Sequence, residues 1–198
     1  LKETLAASLC NLARLRPYHT LYDPMCGSGT ILIEGAMMVH NIAPGVNRNF
    51  SAERWDVIPE YVWAEERARA RDLVNYDTDF IAYGSDIDES ALEIARVNAK
   101  RAGVERKIKF EKCDLRDFKP QSEKGTLICN PPYGERLLDI GEAQKLYKIM
   151  GDKFEPKRGW AYYIISPSED FEKEFGRKAD KRRKLYNGMI KCQLFMYF

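Results

Sequence analysis

The sequence of 198 residues lacks an apolar run long enough to cross a membrane, and it lacks the patterns of a zinc site or a disulfide framework. A membrane-spanning helix needs about 20 consecutive, mostly apolar residues. The two histidines, His19 and His40, have no ligand-like neighbours, and no two of the five cysteines stand at CxxC spacing. No charged and apolar leader with a cleavage site is visible either. We therefore expect no membrane span, no metal and a reducing, cytoplasmic compartment.

An excess of charge of one sign is also missing. Lysine and arginine total 32 against 30 aspartates and glutamates, a net charge of +2. This balance excludes a chain that coats nucleic acid through its overall charge, although a local basic patch is compatible with it. Apolar residues make up 44% of the chain, which predicts one folded domain with a sizeable core. Because the chain begins at Leu1 and not at methionine, we expect part of a longer protein.

Short β-prone runs alternate with helical patterns along the sequence. The predicted strands are 20–23, 81–85, 108–112, 126–129 and 160–166. The predicted helices are an opening helix that contains Leu5, Leu9 and Leu12, and then 30–39, 60–75, 90–102, 142–154 and 170–175. Residues 41–58 have few periodic apolar residues, so we predict an ordered loop there and an insertion over 41–76.

The alternation defines the predicted fold class. Strands that alternate with helices pair in parallel through right-handed crossovers. Near the end of the chain, Asn187-Gly188 lies between two β-prone runs and predicts a hairpin. We therefore predict an α/β fold, with a Rossmann-like, doubly wound, mostly parallel sheet of seven strands and a terminal antiparallel hairpin.

A glycine-rich turn follows the first predicted strand and reads Asp23-Pro24-Met25-Cys26-Gly27-Ser28-Gly29-Thr30. In doubly wound sheets, ligands bind beyond the carboxyl ends of the strands. Two glycines let the backbone bend sharply, and the start of the next helix favours an anionic group. The turn has no Gly-Lys-Ser/Thr of a P-loop, and Leu32 stands where a dinucleotide fingerprint needs Gly or Ala. A plain strand-to-helix turn is the alternative interpretation.

Acidic residues follow the second and third predicted strands. Asp86 offers two acceptor oxygens, which suits the two hydroxyls of a ribose, and Ile87 can cover one face of an adenine. Asp114 can accept a hydrogen bond from an adenine amino group. The alternatives are that Asp88 or Ser90 caps the following helix and that Asp114 is a turn residue.

The segment Asn130-Pro131-Pro132-Tyr133 follows the fourth predicted strand and is the most specific motif in the chain. Pro132 restricts Pro131 to an extended conformation, and prolines donate no N–H, so the Pro131 carbonyl is held out beside the Asn130 amide oxygen. Two fixed acceptors suit the two hydrogens of a planar NH2 group, and Tyr133 offers a face on which a base can stack. A proline-stiffened turn is the alternative.

Together these motifs resemble those of class I S-adenosylmethionine-dependent methyltransferases that methylate amino groups, over nearly the whole chain. More narrowly, the chain resembles the catalytic domain of the RlmL-type bacterial 23S rRNA guanine-N2 methyltransferases. That narrower resemblance is carried by residues 1–5 (LKETL), 42–45 (IAPG), Arg48, Phe50, Trp55 and 186–188 (YNG). Enzymes of that type have an RNA-binding THUMP domain before the catalytic domain and an insertion similar to 41–76.

The resemblance implies a cofactor, a substrate and a role for each motif. The cofactor is S-adenosylmethionine, the product is S-adenosylhomocysteine, and the methyl group goes to the N2 amine of a guanine in 23S rRNA. The implied cofactor-binding residues are Asp23, Pro24, Cys26, Gly27, Gly29, Thr30, Asp86, Ile87, Asp114 and Asn130. The implied catalytic residues, which hold the target base, are Asn130, Pro131, Pro132 and Tyr133. Alternatives are tRNA guanine N2, DNA adenine N6, a protein glutamine, or a cofactor- and RNA-binding module without activity.

Basic residues crowd the stretch 177–184 near the end of the chain. Lys181, Arg182 and Arg183 are candidate contacts to the phosphates of an RNA. A charged edge strand that prevents aggregation between sheets is an equally good explanation.

Overall fold

The computed structural model describes residues 1–133 and 140–198. The helices are α1 (Glu3–Leu12), α2 (Thr30–Val39), α3 (Glu60–Asp72), α4 (Glu89–Arg101), α5 (Ile140–Lys153) and α6 (Phe171–Phe175). The strands are β1 (Thr20–Asp23), β2 (Ile81–Asp86), β3 (Ile108–Lys112), β4 (Gly125–Cys129), β5 (Trp160–Ser166), β6 (Lys181–Asn187) and β7 (Ile190–Tyr197). Within the described ranges, no helix has the length and apolar character that a membrane span requires.

The seven strands form a sheet in the order β3-β2-β1-β4-β5-β7-β6. The pairs β1–β2, β1–β4, β2–β3 and β4–β5 are parallel, and β7 is antiparallel to both β5 and β6. Because β1 lies between β2 and β4, the strand order reverses at β1, and this switch point opens a crevice at the carboxyl ends of the strands. The predicted doubly wound, mostly parallel sheet with a terminal antiparallel hairpin is confirmed.

The turn of the hairpin lies one residue beyond its predicted centre. Asn187 pairs with Ile190, so the two-residue loop consists of Gly188 and Met189 and not of Asn187 and Gly188. Gly188 has a φ of +64°. A two-residue turn with glycine at its first central position matches the twist of the flanking strands, which explains the shift.

The core has one apolar layer on each face of the sheet. Successive residues of β5 point to opposite faces, so Tyr163 and Ile165 join the layer under α1, α2 and α4. Tyr162 and Ile164 join the aromatic-rich layer under α5 and α6. Burial on both faces of the central strands fixes their register, and therefore fixes which residues emerge at the carboxyl edge.

Polar contacts within the segment 41–76 join helix α3 to the loop that precedes it, while Ile42 of the segment is buried in the core of the domain. Helix α3 buries no residue and ends at Asp72, three residues before the predicted end. Its Arg67 guanidinium donates to the Arg48 carbonyl oxygen (3.0 Å) and to Glu53 Oε1 (2.5 Å). These bonds connect the helix to the preceding loop, which contains a short 3-10 turn over Ser51–Arg54.

Replacement of Gly151 by alanine tests the packing of α5 on α6. Alanine normally stabilises an exposed helix position by about 1 kcal/mol over glycine. Here a Cβ would stand 1.9 Å from the Phe175 carbonyl oxygen, a backbone atom that cannot rotate away. We therefore expect Gly151→Ala to lower the free energy of unfolding by about 2 kcal/mol. Urea unfolding measures this change, and an equal or higher stability would show that the helices do not pack as described.

Candidate functional site

The loops that follow β1, β2 and β3 are joined by hydrogen bonds at the carboxyl edge of the sheet. The Cys26 amide donates to the Ser85 carbonyl oxygen (3.0 Å), and the Gly27 amide donates to Asp86 Oδ2 (2.8 Å). The Cys113 amide donates to the Asp86 carbonyl oxygen (3.1 Å). Three motifs that lie far apart in sequence therefore meet at Asp86.

The two glycines of the first loop serve different purposes. Gly27 and Gly29 have φ values of +50° and +78°, in the left-handed region that favours glycine. A Cβ at Gly29 would stand 3.1 Å from Ala95 and from Phe110, so this glycine lets the helices and sheet pack closely. A Cβ at Gly27 would meet no atom within 4 Å, so open space lies beside this residue. Thr30 begins α2 immediately afterwards.

Asp86 keeps free acceptor capacity. Its Oδ1 accepts from the Asp88 amide (3.0 Å) and its Oδ2 from the Gly27 amide, and each oxygen has two lone pairs. Asp88 caps α4 by accepting from the Ser90 amide (2.9 Å), so the capping role belongs to Asp88. Ile87 is 64% exposed although it is apolar. The strand end thus presents free carboxylate lone pairs next to an uncovered apolar side chain.

Asp114 has a structural role. It caps the short 3-10 helix Leu115–Asp117 and pairs with the guanidinium of Arg116 (2.6 Å). The hydrogen bonds from Arg116 lower the pKa of Asp114 to about 2, so its carboxyl is ionised and only accepts at neutral pH. Its contact with an adenine stays a prediction. Over the described part of the chain, no group of three acidic, histidine or cysteine residues could hold a metal ion.

Asp23 is a buried carboxyl at the end of β1, followed by the buried Pro24. Burial raises the pKa of Asp23 to about 8, while one hydrogen bond from the Met25 amide (3.3 Å) opposes that rise. The negative charge of Asp86 adds to the rise. A cation placed against Asp23 would favour its ionised form.

The raised pKa makes a prediction for stability. In the unfolded chain Asp23 ionises near pH 4, whereas in the folded chain it keeps its proton up to about pH 8. The unfolded state therefore binds fewer protons across this window, so the free energy of unfolding falls as pH rises from about 4 to about 8. We expect Asp23→Asn to remove this part of the fall. Urea unfolding of both proteins across that window measures it, and parallel pH profiles would contradict the assignment.

The fourth motif contains a hydrogen-bonded pair. The Tyr133 hydroxyl donates to Asn130 Oδ1 (2.5 Å), and burial raises the pKa of Tyr133, so the phenol keeps its proton. Asn187 Nδ2 donates to the Tyr133 hydroxyl oxygen at 3.5 Å, and Cys192 Sγ lies 4.0 Å from it. Donors facing the phenol oxygen direct its proton towards Asn130. Pro131 itself is buried and Pro132 is half-buried.

Sequence reasoning missed three of these contacts. The sequence singles out Asn187 only as part of the YNG segment that carries the family resemblance, and no signal in the sequence singles out Cys192. Asn98 of α4 donates to the Ser28 carbonyl oxygen (3.3 Å) and so supports the glycine turn. All three pairs are more than 50 residues apart in sequence, so only the fold brings them together.

The predicted phosphate contacts begin at the far end of β6. Because β6 points the same way as β5, its last residue, Asn187, lies at the carboxyl edge and Lys181 lies towards the opposite edge. Arg182 pairs with Glu172 and stacks over the Phe195 ring at 5.5 Å, whereas the Arg183 side chain is exposed.

The strand order, the antiparallel seventh strand and the loops that meet at Asp86 define a class I methyltransferase fold. The chain belongs to the UPF0020 family, described as an RMKL-like methyltransferase domain, whose family model matches residues 1–195.

The proteins similar to this chain are longer than it is, and the chain matches only part of each. The chain is 43% identical over its whole length to YpsC of Bacillus subtilis (strain 168), and covers 51% of that protein. It is 40% identical to the ribosomal RNA large subunit methyltransferase K/L of Shewanella baltica (strain OS185), again over its whole length, and covers 29% of it. The crystal structure of SMU.472 in complex with SAH is 44% identical, with a TM-score of 0.92, and the chain covers 52% of it. The chain thus spans about half the length, or less, of these relatives.

Proposed function

We propose that this chain transfers a methyl group from S-adenosylmethionine to the N2 amine of a guanine in RNA, with 23S rRNA as the substrate. The observation that carries the proposal is the hydrogen-bonded Asn130–Tyr133 pair at the same sheet edge as the free acceptors of Asp86. The name of the Shewanella relative, ribosomal RNA large subunit methyltransferase K/L, supports the RNA substrate.

The residues at the carboxyl edge fit S-adenosylmethionine. Asp86 has free lone pairs for the ribose hydroxyls, and the exposed Ile87 would cover the adenine. Open space beside Gly27 leaves room for the ligand, and the buried Asp23 carboxyl suits its cationic methionine end. The SAH complex of SMU.472 supports this assignment. The remaining residues proposed to line the site are Pro24, Cys26, Gly29, Thr30, Asp114 and Asn130.

The bound cofactor supplies an electrophilic methyl group, and the protein supplies position. The Asn130 amide oxygen has a second lone pair besides the one that accepts from Tyr133, and can take one hydrogen of the target amine. The Pro131 carbonyl would take the other hydrogen, and the Tyr133 ring would stack on the base. Orientation of this kind can supply about 7–11 kcal/mol of the barrier. The methylated amine is acidic while it holds its extra proton, so water can accept that proton.

Further segments belong to the same proposal. The relatives are about two to three and a half times as long as this chain. We place an RNA-binding, THUMP-type domain before this catalytic domain. The segment 41–76 is proposed as an insertion within the catalytic domain, and the protein is proposed to act in the cytoplasm.

Isotopically labelled S-adenosylmethionine, offered separately to unmodified rRNA, DNA and a glutamine-bearing peptide pool, tests the substrate class. We expect label in rRNA. Label in DNA or peptide alone would keep the amine chemistry and overturn the RNA substrate. Cofactor binding with no label in any pool would favour a binding module without activity.

Two charge substitutions test the basic strand. We expect the double variant Lys181→Gln/Arg183→Gln to bind RNA more weakly, because two phosphate contacts are lost, and to reduce the salt dependence of log affinity by about 1 per residue. Filter binding at several salt concentrations measures both. An unchanged salt slope combined with faster aggregation would show that these residues protect the sheet edge instead.

A further inference from the structure

The tip of the β6–β7 hairpin lies beside the proposed amine site. Asn187, the residue before the tip, donates from Nδ2 to the hydroxyl of Tyr133, which in turn donates to Asn130. The tip itself is the two-residue loop Gly188-Met189, closed by the pairing of Asn187 with Ile190. Met189 is therefore only two residues along the chain from Asn187, which contacts the Asn130–Tyr133 pair proposed to bind the target base.

Met189 is an apolar side chain placed fully in water. It is 97% exposed, more than any other large apolar residue of the described chain. The tight turn and the paired strands on both sides hold its backbone in place, whereas its own side chain is unbranched and adaptable. An apolar group in this position gains free energy when another surface covers it.

The charges around the tip select the kind of partner. The hairpin from 181 to 191 contains five cationic residues and no acidic one; Lys184 and Lys191 lie nearest the tip, whereas Arg182 pairs with Glu172. Lys191 is exposed and pairs with Tyr186 across the hairpin, while the Lys184 ammonium lies 5.4 Å from the Tyr186 ring. An exposed apolar residue between cationic flanks fits a nucleic acid, whose phosphates bind the cations and whose stacked bases accept an apolar wedge.

A base that is paired in a helix cannot present its amine to Asn130. The N2 amine of a paired guanine faces the minor groove inside the stack, so the base must leave the stack before both hydrogens can be bound. The vacated space must then be filled, or the base returns.

We propose that Met189 inserts into the stack of a structured RNA, at the place vacated by the target guanine, and holds that base in the site. This inference rests on the proposed function. It makes the substrate a folded RNA in which the target base is stacked, and it makes the hairpin tip a substrate-contacting element.

The test compares variants of the protein, in its full natural length, on one RNA in two states. Unmodified large-subunit rRNA transcribed in vitro is either folded with magnesium or heat-denatured and kept in chelator. Met189→Ala shortens the wedge, and Met189→Leu keeps its apolar bulk. Tyr18→Ala is the matched control, because Tyr18 is 72% exposed and precedes β1 at the opposite edge of the sheet.

We expect Met189→Ala to lower the initial rate of methyl transfer to folded RNA by about tenfold, because the wedge opposes restacking. On denatured RNA, which has no stack to open, we expect wild-type rates from all variants. Met189→Leu and Tyr18→Ala should stay within about twofold of wild type on both RNAs. A wild-type rate for Met189→Ala on folded RNA, or an equal loss on both RNAs, would overturn the wedge. No label from the wild-type protein in either RNA would instead overturn the proposed function, and the wedge with it.

Discussion

Asn130→Ala is expected to lower kcat by at least about 100-fold, while the dissociation constant of S-adenosylmethionine changes far less. The side chain is proposed to touch the target amine, and its amide oxygen already accepts from the Tyr133 hydroxyl. Alanine removes that acceptor, so the amine is no longer oriented. Single-turnover rates with labelled cofactor, combined with calorimetric titration of the cofactor, separate the two effects.

Two further variants make this result specific. Tyr133→Phe keeps the ring and removes only the hydroxyl, so we expect a smaller loss of kcat, about tenfold, from an Asn130 amide that rotates more freely. Asn11→Ala alters an exposed asparagine near the C-terminal end of α1 and should leave both kcat and the dissociation constant of the cofactor unchanged. Equal losses of turnover and of cofactor binding in Asn130→Ala would show that Asn130 does not act on the amine.

Asp86→Ala is expected to weaken cofactor binding by about 100-fold or more. Two hydrogen bonds to a carboxylate contribute about 1.5–3 kcal/mol each, and alanine removes both of the proposed ribose contacts. The substitution also leaves the Gly27 amide, which donates to Asp86 at 2.8 Å, without its partner, so the glycine turn loosens as well. Calorimetric titration with S-adenosylmethionine measures the affinity.

The neighbouring Asp88 supplies the matched control for Asp86. It caps α4 through the Ser90 amide, so Asp88→Ala should lower the free energy of unfolding by about 1 kcal/mol and leave cofactor affinity unchanged. If Asp86→Ala binds the cofactor as tightly as Asp88→Ala does, the Asp86 carboxylate is not a ligand of the cofactor.

The sequence predicts most of the framework because its signals are local. Strand β5 is a run of seven residues, most of them aromatic or isoleucine. Strand β4 is followed, after one residue, by a pair of prolines, so both strands can be predicted without tertiary information. The acceptors at the ends of the strands follow from the parallel topology, since parallel strands place their carboxyl ends at one edge.

The parts that the sequence did not predict depend on contacts between distant segments. The hairpin centre shifted by one residue because the pairing of Asn187 with Ile190, and not the Asn-Gly dipeptide, determines the turn. The bond from Asn187 to Tyr133 spans 54 residues. The three hydrogen bonds that Arg116 donates to Asp114 are local, but an acid after a strand predicts either a turn or a ligand equally well.

Mass spectrometry of the nucleosides from rRNA labelled by the wild-type protein tests the central claim most directly, since Asn130 and Pro131 are proposed to hold a planar amine. The account predicts that the label appears as N2-methylguanosine. Label on a ribose oxygen or on a ring carbon would contradict it, because neither position offers the two amine hydrogens that the site is built to accept.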